Sequence, residues 1–508
     1  METETKKNPL DRLLAIASLG LGAVLLVTDR WFTEVDDEVA IIGKAAKPIY
    51  ETLRLYAKGI GEHEHPPLYD LLLHGWLRLT SGEMHLLRVP AIVFYVLGAF
   101  VLAKAGGRLG GRKAQISVFL LVALWPFGFH FGRLACWYSF SFLVVSLLTL
   151  AYLHYVEQRT FRSWLWVFLC ALALVYTSYF GWVILACLAA DFLLHSQPVS
   201  SRTFWPMAAM GAVLFVASLP LSATFLKEVH HGVKTGHSLL STMFVGAYNL
   251  YCLFASESVA PWFWLLGVPV ALAIAPCLVL VLFYGPRRAN WFLVYFGTLL
   301  AVMTILGIVG TKRTLLIGAW LILPIGVAIG TLKQEFARRT VVRLLLIVAV
   351  IGWFGIFHRR WYAAPHWIEP WPAIAAEAAT TVREGGVVIG NNPSFFFYLT
   401  YLLEAENPTG SHFQGFLPQM VQYPRVYNPE QWIQTGRPVG SLTLAVNGLN
   451  YPEPPGDIPE AMKWLDDHCR AVEEQHFARD AGARWKQRLL PGVPQPEWRI
   501  QVKRYTCP

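Results

Sequence analysis

The sequence predicts an all-α polytopic membrane protein with about eleven transmembrane helices, followed by a small C-terminal α/β domain outside the membrane. The first observation behind this prediction is composition. Of 508 residues, 55% are hydrophobic and only 15% are charged, whereas a soluble domain carries about 25% charged residues because its surface needs them. The second is clustering of the charges, which leaves charge-poor apolar runs of roughly 18–25 residues, long enough to cross about 30 Å of hydrocarbon.

The apolar runs predict the positions of the spanning helices. They lie at 13–28, 87–103, 116–132, 137–154, 164–178, 180–195, 205–225, 262–284, 291–309, 315–331 and 342–357. The first run follows a basic start, but no small-residue cleavage site precedes Asp29, so we expect a helix and not a removable signal peptide. The predicted domains are a transmembrane domain over 1–358, which includes a long first outer loop over 29–88, and an extracytoplasmic soluble domain over 359–508.

Basic residues in the loops predict the orientation, because cytoplasmic loops carry an excess of Lys and Arg. One alternating set of loops holds most of them: Lys6, Lys7, Arg12, Lys104, Arg108, Arg112, Lys113, Arg159, Arg162, Arg202, Arg287, Arg288, Lys333, Arg338, Arg339 and Arg343. The N-terminus is therefore expected in the cytoplasm and the C-terminal domain outside, in the periplasm or the extracellular space. The net charge of +9 is then a topology signal, and nucleic acid is not an expected partner.

The tail carries few clues to its environment. Cys469 and Cys507 lie in the outer domain, where oxidation is allowed, and a disulfide between them is left open. Asn392 and Asn407 are each followed by Pro, so the tail has no Asn-x-Ser/Thr acceptor for glycosylation. This favours the cytoplasmic (inner) membrane of a bacterial cell.

Two polar stretches are too long to be simple connectors. The loop over 29–88 contains amphipathic runs at 39–56 and 68–79, which suit helices lying on a membrane surface. The tail is expected to form strands at 386–390, 441–446 and 498–505 and helices at 371–384, 395–404 and 459–475.

Carboxylates just outside the first span are the strongest candidates for chemistry. Asp36, Asp37 and Glu38 follow one another there. One interpretation is a solvated acidic cap that opens a surface helix, since carboxylates are favourable near a helix N-terminus. The other is a catalytic base, because a carboxylate held at a membrane interface can have a raised proton affinity.

A histidine before two prolines forms the second candidate segment. Pro66 and Pro67 force an extended approach and then allow a helix to start, so His65 is presented at a fixed turn. His65 as a helix cap remains an alternative. So does a metal site made of His63, His65 and Asp37 or Glu38, although the histidines lack the i, i+4 spacing of a helical zinc site.

These segments and their spacing resemble the GT-C type of membrane glycosyltransferases, in particular the protein O-mannosyltransferase and lipid A aminoarabinose transferase group (glycosyltransferase family 39-like). That family has an Asp-Glu pair in the first outer loop, matched here by Asp37 and Glu38. A His-Pro-Pro-Leu segment follows, matched by 65–68. The stretch 82–90 looks like the family's entry to span two, and Lys312 and Arg313 match weakly before a later span. The resemblance covers roughly 1–358.

One stretch departs from the family pattern. Many relatives have Gln-Glu-Ala-Arg-x-Tyr where this chain has 133–138, so the usual glutamate position is Leu134 and the usual arginine position is Cys136. Tyr138 keeps the tyrosine. Arg133 would lie one helical turn before Cys136, so it is a candidate to supply the missing cation on the same face.

The resemblance implies a GT-C fold and a polyprenyl-phosphate sugar as donor, with a glycan, lipid or protein as acceptor. Asp37 is then the candidate base, and Glu38 or Asp36 would orient the acceptor. A direct displacement would invert the anomeric carbon of the sugar. The leaving phosphate would be stabilised by cations. Residues expected to bind substrate are Asp36, His65, Arg88, Arg133, Tyr138, Lys312 and Arg313. For the arginines, anchoring of span ends is the alternative. No metal is required by this chemistry, and a divalent metal remains open.

Two other functions fit parts of the sequence. A lipid flippase or transporter would place charges near mid-membrane, often in repeated halves, but here the spans are nearly charge-free and show no repeat. A polysaccharide polymerase or ligase that uses lipid-linked sugars would resemble a transferase more closely. The spacing from Asp37–Glu38 to His65 favours the transferase.

Overall fold

The structure of the protein is a computed structural model. The structure describes residues 9–29, 36–58, 65–83, 86–195, 201–233, 239–306, 311–358, 369–404, 425–438, 440–447, 457–480, 482–489 and 496–508. The helices of the predicted transmembrane domain are α1 (Pro9–Val27), α2 (Asp36–Ala45), α3 (Ile49–Lys58), α4 (Leu68–Leu79), α5 (Val89–Ala123), α6 (Pro126–Phe131), α7 (Trp137–Gln158), α8 (Phe161–Val175), α9 (Gly181–His195), α10 (Ser201–Ser218), α11 (Ser222–Val233), α12 (Leu239–Ala255), α13 (Trp264–Tyr284), α14 (Arg287–Ile305), α15 (Leu315–Thr331) and α16 (Glu335–Phe357).

Helix α5 is a hairpin of two antiparallel arms. Gly111 has φ 72° and ψ −166°, a conformation that glycine adopts at little cost and that reverses the chain here. The Tyr95 hydroxyl donates to the Val122 carbonyl oxygen at 2.8 Å, although 27 residues of straight helix would separate them by roughly 40 Å. The two arms therefore account for the predicted spans at 87–103 and 116–132.

The described residues contain eight helices long and apolar enough to cross a membrane, with α5 counted once, and four shorter apolar ones. Each of the eleven predicted runs falls on a helix. The run at 116–132 is broken before Pro126, where α6 begins, and those at 164–178 and 180–195 correspond to the shorter α8 and α9. Helix α12 was not predicted. The chain is a multi-pass, mostly helical membrane protein, and the number and direction of its crossings stay a prediction.

The centre of the bundle is α15, packed between α5 and α7. Its sequence is apolar on every side, and nearly all of its residues are buried. A helix that is hydrophobic all round is buried among other helices. The ends of α1, α5, α7 and α15 that meet at one face of this bundle carry the candidate site.

The first outer loop folds into three short helices. The predicted run at 68–79 is α4, and the run at 39–56 forms two helices, α2 and α3. Pro48 causes the break, because it lacks the backbone donor and disfavours helix in the residue before it. Helix α2 buries Val39, Ile41 and Ile42 and packs on α4.

The C-terminal domain is a mixed sheet with helices. Its helices are α17 (Trp371–Arg383), α18 (Pro393–Glu404), α19 (Pro429–Gln434), α20 (Asp457–His468) and α21 (Ala483–Leu489), and its strands are β1 (Val387–Gly390), β2 (Val426–Tyr427), β3 (Ser441–Asn447), β4 (Arg470–Arg479) and β5 (Trp498–Thr506). The strand order is β2-β1-β3-β5-β4, with β1 parallel to β2 and β3 and the other pairs antiparallel. The predicted small α/β domain is confirmed.

One tail element was predicted incorrectly. The helix expected at 459–475 ends at His468, and β4 starts at Arg470 as an edge strand that, among the described strands, pairs with β5. Its many charged side chains obscured the strand pattern, although charges are typical of edge strands. A disulfide joins Cys469, between α20 and β4, to Cys507 after β5. The domain touches the bundle through α18, which packs on α2, and through Lys486, which lies over the Trp262 ring.

Candidate active site

Two consecutive carboxylates in the first turn of α2 have opposite surroundings. Successive residues of an α-helix point about 100° apart, so one side chain of the pair can face inward while the other faces an opening. Glu38 is fully buried, and the Asp37 side chain is 28% exposed. Asp37 is therefore the member of the pair that a substrate can reach. Asp36 begins the helix, but its side chain lies outside the described residues.

Glu38 fixes α2 to the start of α5. Arg88 donates from Nε to Glu38 Oε1 at 2.8 Å and from Nη2 to Oε2 at 2.6 Å, a bidentate pair. The Ala135 amide also donates to Glu38 Oε1 at 2.7 Å, and the third Arg88 nitrogen reaches Asp29 at 3.2 Å. Glu38 is thus enclosed by protein donors, and the expectation that Glu38 or Asp36 orients the acceptor stays a prediction.

Asp37 forms the centre of the open part of the site. Its Oδ2 accepts from the Tyr138 hydroxyl at 2.7 Å and lies 2.5 Å from Lys312 Nζ. Burial alone would raise the pKa of the Asp37 carboxyl, but the Lys312 ammonium and the hydrogen bonds outweigh burial and lower that pKa below its ordinary value of 3.8. The carboxylate is accordingly ionised at neutral pH, with a cation already beside it.

A short turn before α15 supplies the cations. Lys312 and Arg313 lie in the single 3-10 turn Thr311–Thr314, and both lower the pKa of Asp37 through their charge. Lys312 is 27% exposed, so it shares the opening with Asp37. The structure thus brings together the acidic pair of the first outer loop and the basic pair more than two hundred residues later in the chain.

Glu257 belongs to this group and was missed by the sequence analysis. It follows α12, is largely buried, and accepts a hydrogen bond from the Thr311 hydroxyl. Its charge also acts on Lys312. The signal was present, because Glu257 is the only Asp, Glu, Lys or Arg between Lys234 and Arg287. An isolated ionisable residue in such an apolar stretch is a functional-site candidate by default.

The stretch that departs from the family pattern, 133–138, contacts Glu38 through the Ala135 amide and Asp37 through the Tyr138 hydroxyl. Residues 132–136 are not helical, so the expectation that Arg133 shares a helical face with Cys136 is wrong. Arg133 is fully buried; its guanidinium donates to the Phe129 carbonyl at 3.0 Å and to Thr28 at 3.1 Å, and it lies over the Phe129 ring. It joins the end of α1 to this turn.

His65 lies behind the site. Its Nδ1 is 2.9 Å from the Pro66 carbonyl, its Nε2 is 3.6 Å from Asp70 Oδ1, and its ring lies 5.6 Å from the ring of Trp137, the neighbour of Tyr138. Asp70 accepts from the Tyr56 hydroxyl at 2.7 Å. His65 is buried and therefore supports the wall of the site.

The predicted metal alternative has no counterpart in the part of the chain that the structure describes. That part contains no group of three or more His, Cys, Asp or Glu residues suited to a metal ion. His63, one of the ligands considered, lies outside the described residues. Asp37 and Glu38 are instead engaged by Lys312 and Arg88.

The arrangement combines an accessible carboxylate with accessible cations at one end of the bundle. An ionised carboxylate can accept a proton, and an adjacent ammonium and guanidinium can stabilise an anion such as a phosphate. Arg88 and Arg133 are buried among protein acceptors, so they serve mainly to hold α1, α2 and α5 together.

Comparison with known proteins adds a partial family match and a fold match. Residues 64–223 match the family model described as dolichyl-phosphate-mannose-protein mannosyltransferase. No curated protein sequence matches the chain. Among solved structures, ArnT from Cupriavidus metallidurans bound to undecaprenyl phosphate matches with 13% identity and a TM-score of 0.52 over 97% of each chain.

Two further structures match the chain. The same ArnT in the apo state matches with 13% identity and a TM-score of 0.53, again over 97% of each chain. The arabinofuranosyltransferase AftD from Mycobacteria matches with 14% identity and a TM-score of 0.48, over 98% of this chain and 40% of that one. This chain is therefore a membrane protein of the GT-C fold that resembles the dolichyl-phosphate-mannose-protein mannosyltransferase type of glycosyltransferase.

Proposed function

We propose that the protein transfers a sugar from a polyprenyl-phosphate donor to an acceptor hydroxyl at the face that carries α2. The single observation that carries the proposal is the open Asp37–Lys312 pair, a base and a phosphate-binding cation in one opening. The fold match to ArnT bound to undecaprenyl phosphate supports a polyprenyl-phosphate donor. The excess of basic residues on the opposite face of the bundle supports a site outside the cytoplasm.

The proposed step balances as a direct displacement. Asp37 takes the proton of the acceptor hydroxyl, and the acceptor oxygen attacks C1 of the sugar. The bond between C1 and the phosphate oxygen breaks, which inverts C1 and releases polyprenyl phosphate with an added negative charge. Lys312 and Arg313 are the side chains proposed to stabilise that charge. A positioned base contributes typically about 10²–10⁴-fold to such a reaction.

The donor also provides a reason for the resting contact between Asp37 and Lys312. When the donor phosphate binds to Lys312, the ammonium pairs with a second anion, and its electrostatic interaction with the Asp37 carboxylate weakens. The proton affinity of Asp37 then rises at the moment the base is needed. Glu38 and Arg88 keep α2 in place during this exchange. We propose that the transfer requires no metal, so chelation with EDTA should leave the transfer rate unchanged.

The test uses the full-length protein reconstituted in liposomes with a radiolabelled polyprenyl-phosphate sugar and an acceptor extract. Wild type is expected to move label from the lipid to the acceptor. Asp37→Asn should retain donor binding but lower transfer by about 10²-fold or more. Glu51→Gln, a carboxylate change on the neighbouring α3, is the matched control and should transfer normally. Full transfer by Asp37→Asn would reject Asp37 as the base, and the absence of label transfer by wild type would reject the function.

A further inference from the structure

A cavity of about 460 Å³ opens at the face of the bundle opposite to the candidate active site. It lies between the second arm of α5, the end of α15 and the start of α16. The far end of α15 is about 25 Å from Lys312 along the helix axis. This cavity is therefore separate from the opening that contains Asp37.

Cations surround the mouth of the cavity. Lys113, Arg338, Arg339 and Arg343 line it. Glu335 pairs with both Arg338 and Arg339, whereas neither Lys113 nor Arg343 has a carboxylate partner within the described ranges. Two other basic residues on this face have carboxylate partners, Lys104 with Asp11 and Arg108 with Glu157. The cavity thus has an uncompensated positive charge at the positive end of α16.

The inner walls of the cavity are apolar and continue into a second space. Ile329 and Val342 line both the basic cavity and an adjoining crevice of about 130 Å³. The crevice is bordered by α15, α16 and neighbouring segments, and it is lined by apolar side chains such as Leu321, Ile325 and Leu345. A free anion would gain nothing from this crevice, while an amphiphile with a charged head could fill both parts.

We propose that the cavity and crevice bind an anionic phospholipid of the leaflet on this face. The phosphate lies among Lys113, Arg339 and Arg343, and one acyl chain enters the crevice past Ile329 and Val342. Basic pockets between transmembrane helices suit lipid headgroups in this way. The proposal does not depend on sugar transfer, because the site contains none of the residues near Asp37.

The experiment measures lipid binding to full-length protein purified in neutral detergent, by native mass spectrometry and thermal unfolding. The probes are phosphatidylglycerol, phosphatidylcholine and inorganic phosphate. Phosphatidylglycerol should bind at least about tenfold more tightly than phosphatidylcholine and raise the unfolding temperature. Inorganic phosphate at the same concentration should have little effect. Equal binding of the two lipids would overturn the proposed role of the cations in binding the headgroup. If inorganic phosphate raised the unfolding temperature as much as phosphatidylglycerol does, the proposed role of the crevice in binding an acyl chain would be overturned.

Variants then locate the site. Lys113→Gln combined with Arg343→Gln should weaken phosphatidylglycerol binding about tenfold or more, while Arg162→Gln, at a basic position near the start of α8, should not. An equal loss in Arg162→Gln would show that only general surface charge matters and would overturn the site. Because the comparison of lipids is made on the wild type, a variant that folds poorly leaves that test intact. Neither the comparison of lipids nor the comparison of variants measures catalytic activity. The lipid-binding proposal and the sugar-transfer proposal can therefore fail independently.

Discussion

Lys312 Nζ lies 2.5 Å from Asp37 Oδ2, and the same oxygen accepts the Tyr138 hydroxyl at 2.7 Å. The carboxylate proposed as the base is thus held by two donors when no substrate is present. Both donors favour the charged form of Asp37, which makes it a poor proton acceptor until one of them is drawn away. The next two predictions examine each donor separately.

Replacing Lys312 with Gln should shift the pH dependence of transfer. Burial is the largest single influence on this carboxyl, and without the ammonium less opposes it, so the pKa of Asp37 rises above its lowered value. The acid limb of the kcat/KM profile should therefore move to higher pH. The KM for the donor should also rise about tenfold or more, because a cation that pairs with phosphate is lost. Arg162→Gln, near the start of α8, is the control, and an unmoved acid limb would argue against the Lys312–Asp37 coupling.

Replacing Tyr138 with Phe should have a smaller effect than the Lys312 change. The variant removes one hydrogen bond to Asp37, worth about 1 kcal/mol, and keeps the ring packed against Trp137. We expect kcat to fall by about threefold to tenfold, with the KM for the donor nearly constant. Transfer rates at saturating donor measure this. A loss as large as that of Asp37→Asn would indicate that Tyr138 contacts the reacting atoms.

The Glu38–Arg88 pair should act on stability. Both side chains are buried. Glu38→Gln removes the bidentate partner of Arg88 and leaves its buried guanidinium with Asp29 at 3.2 Å as its charged partner, so it should destabilise the protein by up to about 3–5 kcal/mol. The double variant Glu38→Gln/Arg88→Gln removes both charges and should recover part of that loss. Chemical unfolding followed by tryptophan fluorescence gives the values. If the double variant is no more stable than Glu38→Gln, the two side chains are not coupled in this way.

Asp70 should make stability depend on pH. Burial raises the pKa of its carboxyl to about 7, against the hydrogen bond from Tyr56, which lowers it. Because the folded pKa is above the unfolded value, the favourable contribution is complete below about pH 4 and is lost as pH rises toward 7. Asp70→Asn keeps an acceptor for Tyr56 and should abolish this part of the slope. Unfolding temperatures between pH 4 and 8 test it, and parallel curves for wild type and variant would contradict it.

Much of the bundle was predictable because bilayer thickness imposes a length on every spanning helix. That rule located all eleven runs but not α12, which is shorter than a full span, and not the break before Pro126. In the tail, β1, β3 and β5 were predictable from apolar content. The edge strand β4 was not predictable in this way, because it forms by pairing with β5, which lies almost thirty residues later in the chain.

The site was predictable in its members but not in their roles. The resemblance placed Asp37 and Lys312 in one group, and the structure joins them. Whether Glu38 or Asp37 faces the opening depends on how α2 is rotated, which is decided by its packing against α4 and α18. The irregular turn at 132–136, which gives the Ala135 amide to Glu38, could not be anticipated from a helical pattern.

The contact between α18 and α2 has a practical consequence for dissecting this protein. Helix α2 is covered on one side by the bundle and on another by the tail, so the two parts are not independent building blocks. A chain shortened to 358 would leave an apolar face of α2 in water and loosen the helix that carries Asp37. Loss of activity after such a truncation would thus reveal a missing support for the carboxylate, and would say nothing by itself about acceptor binding in the tail.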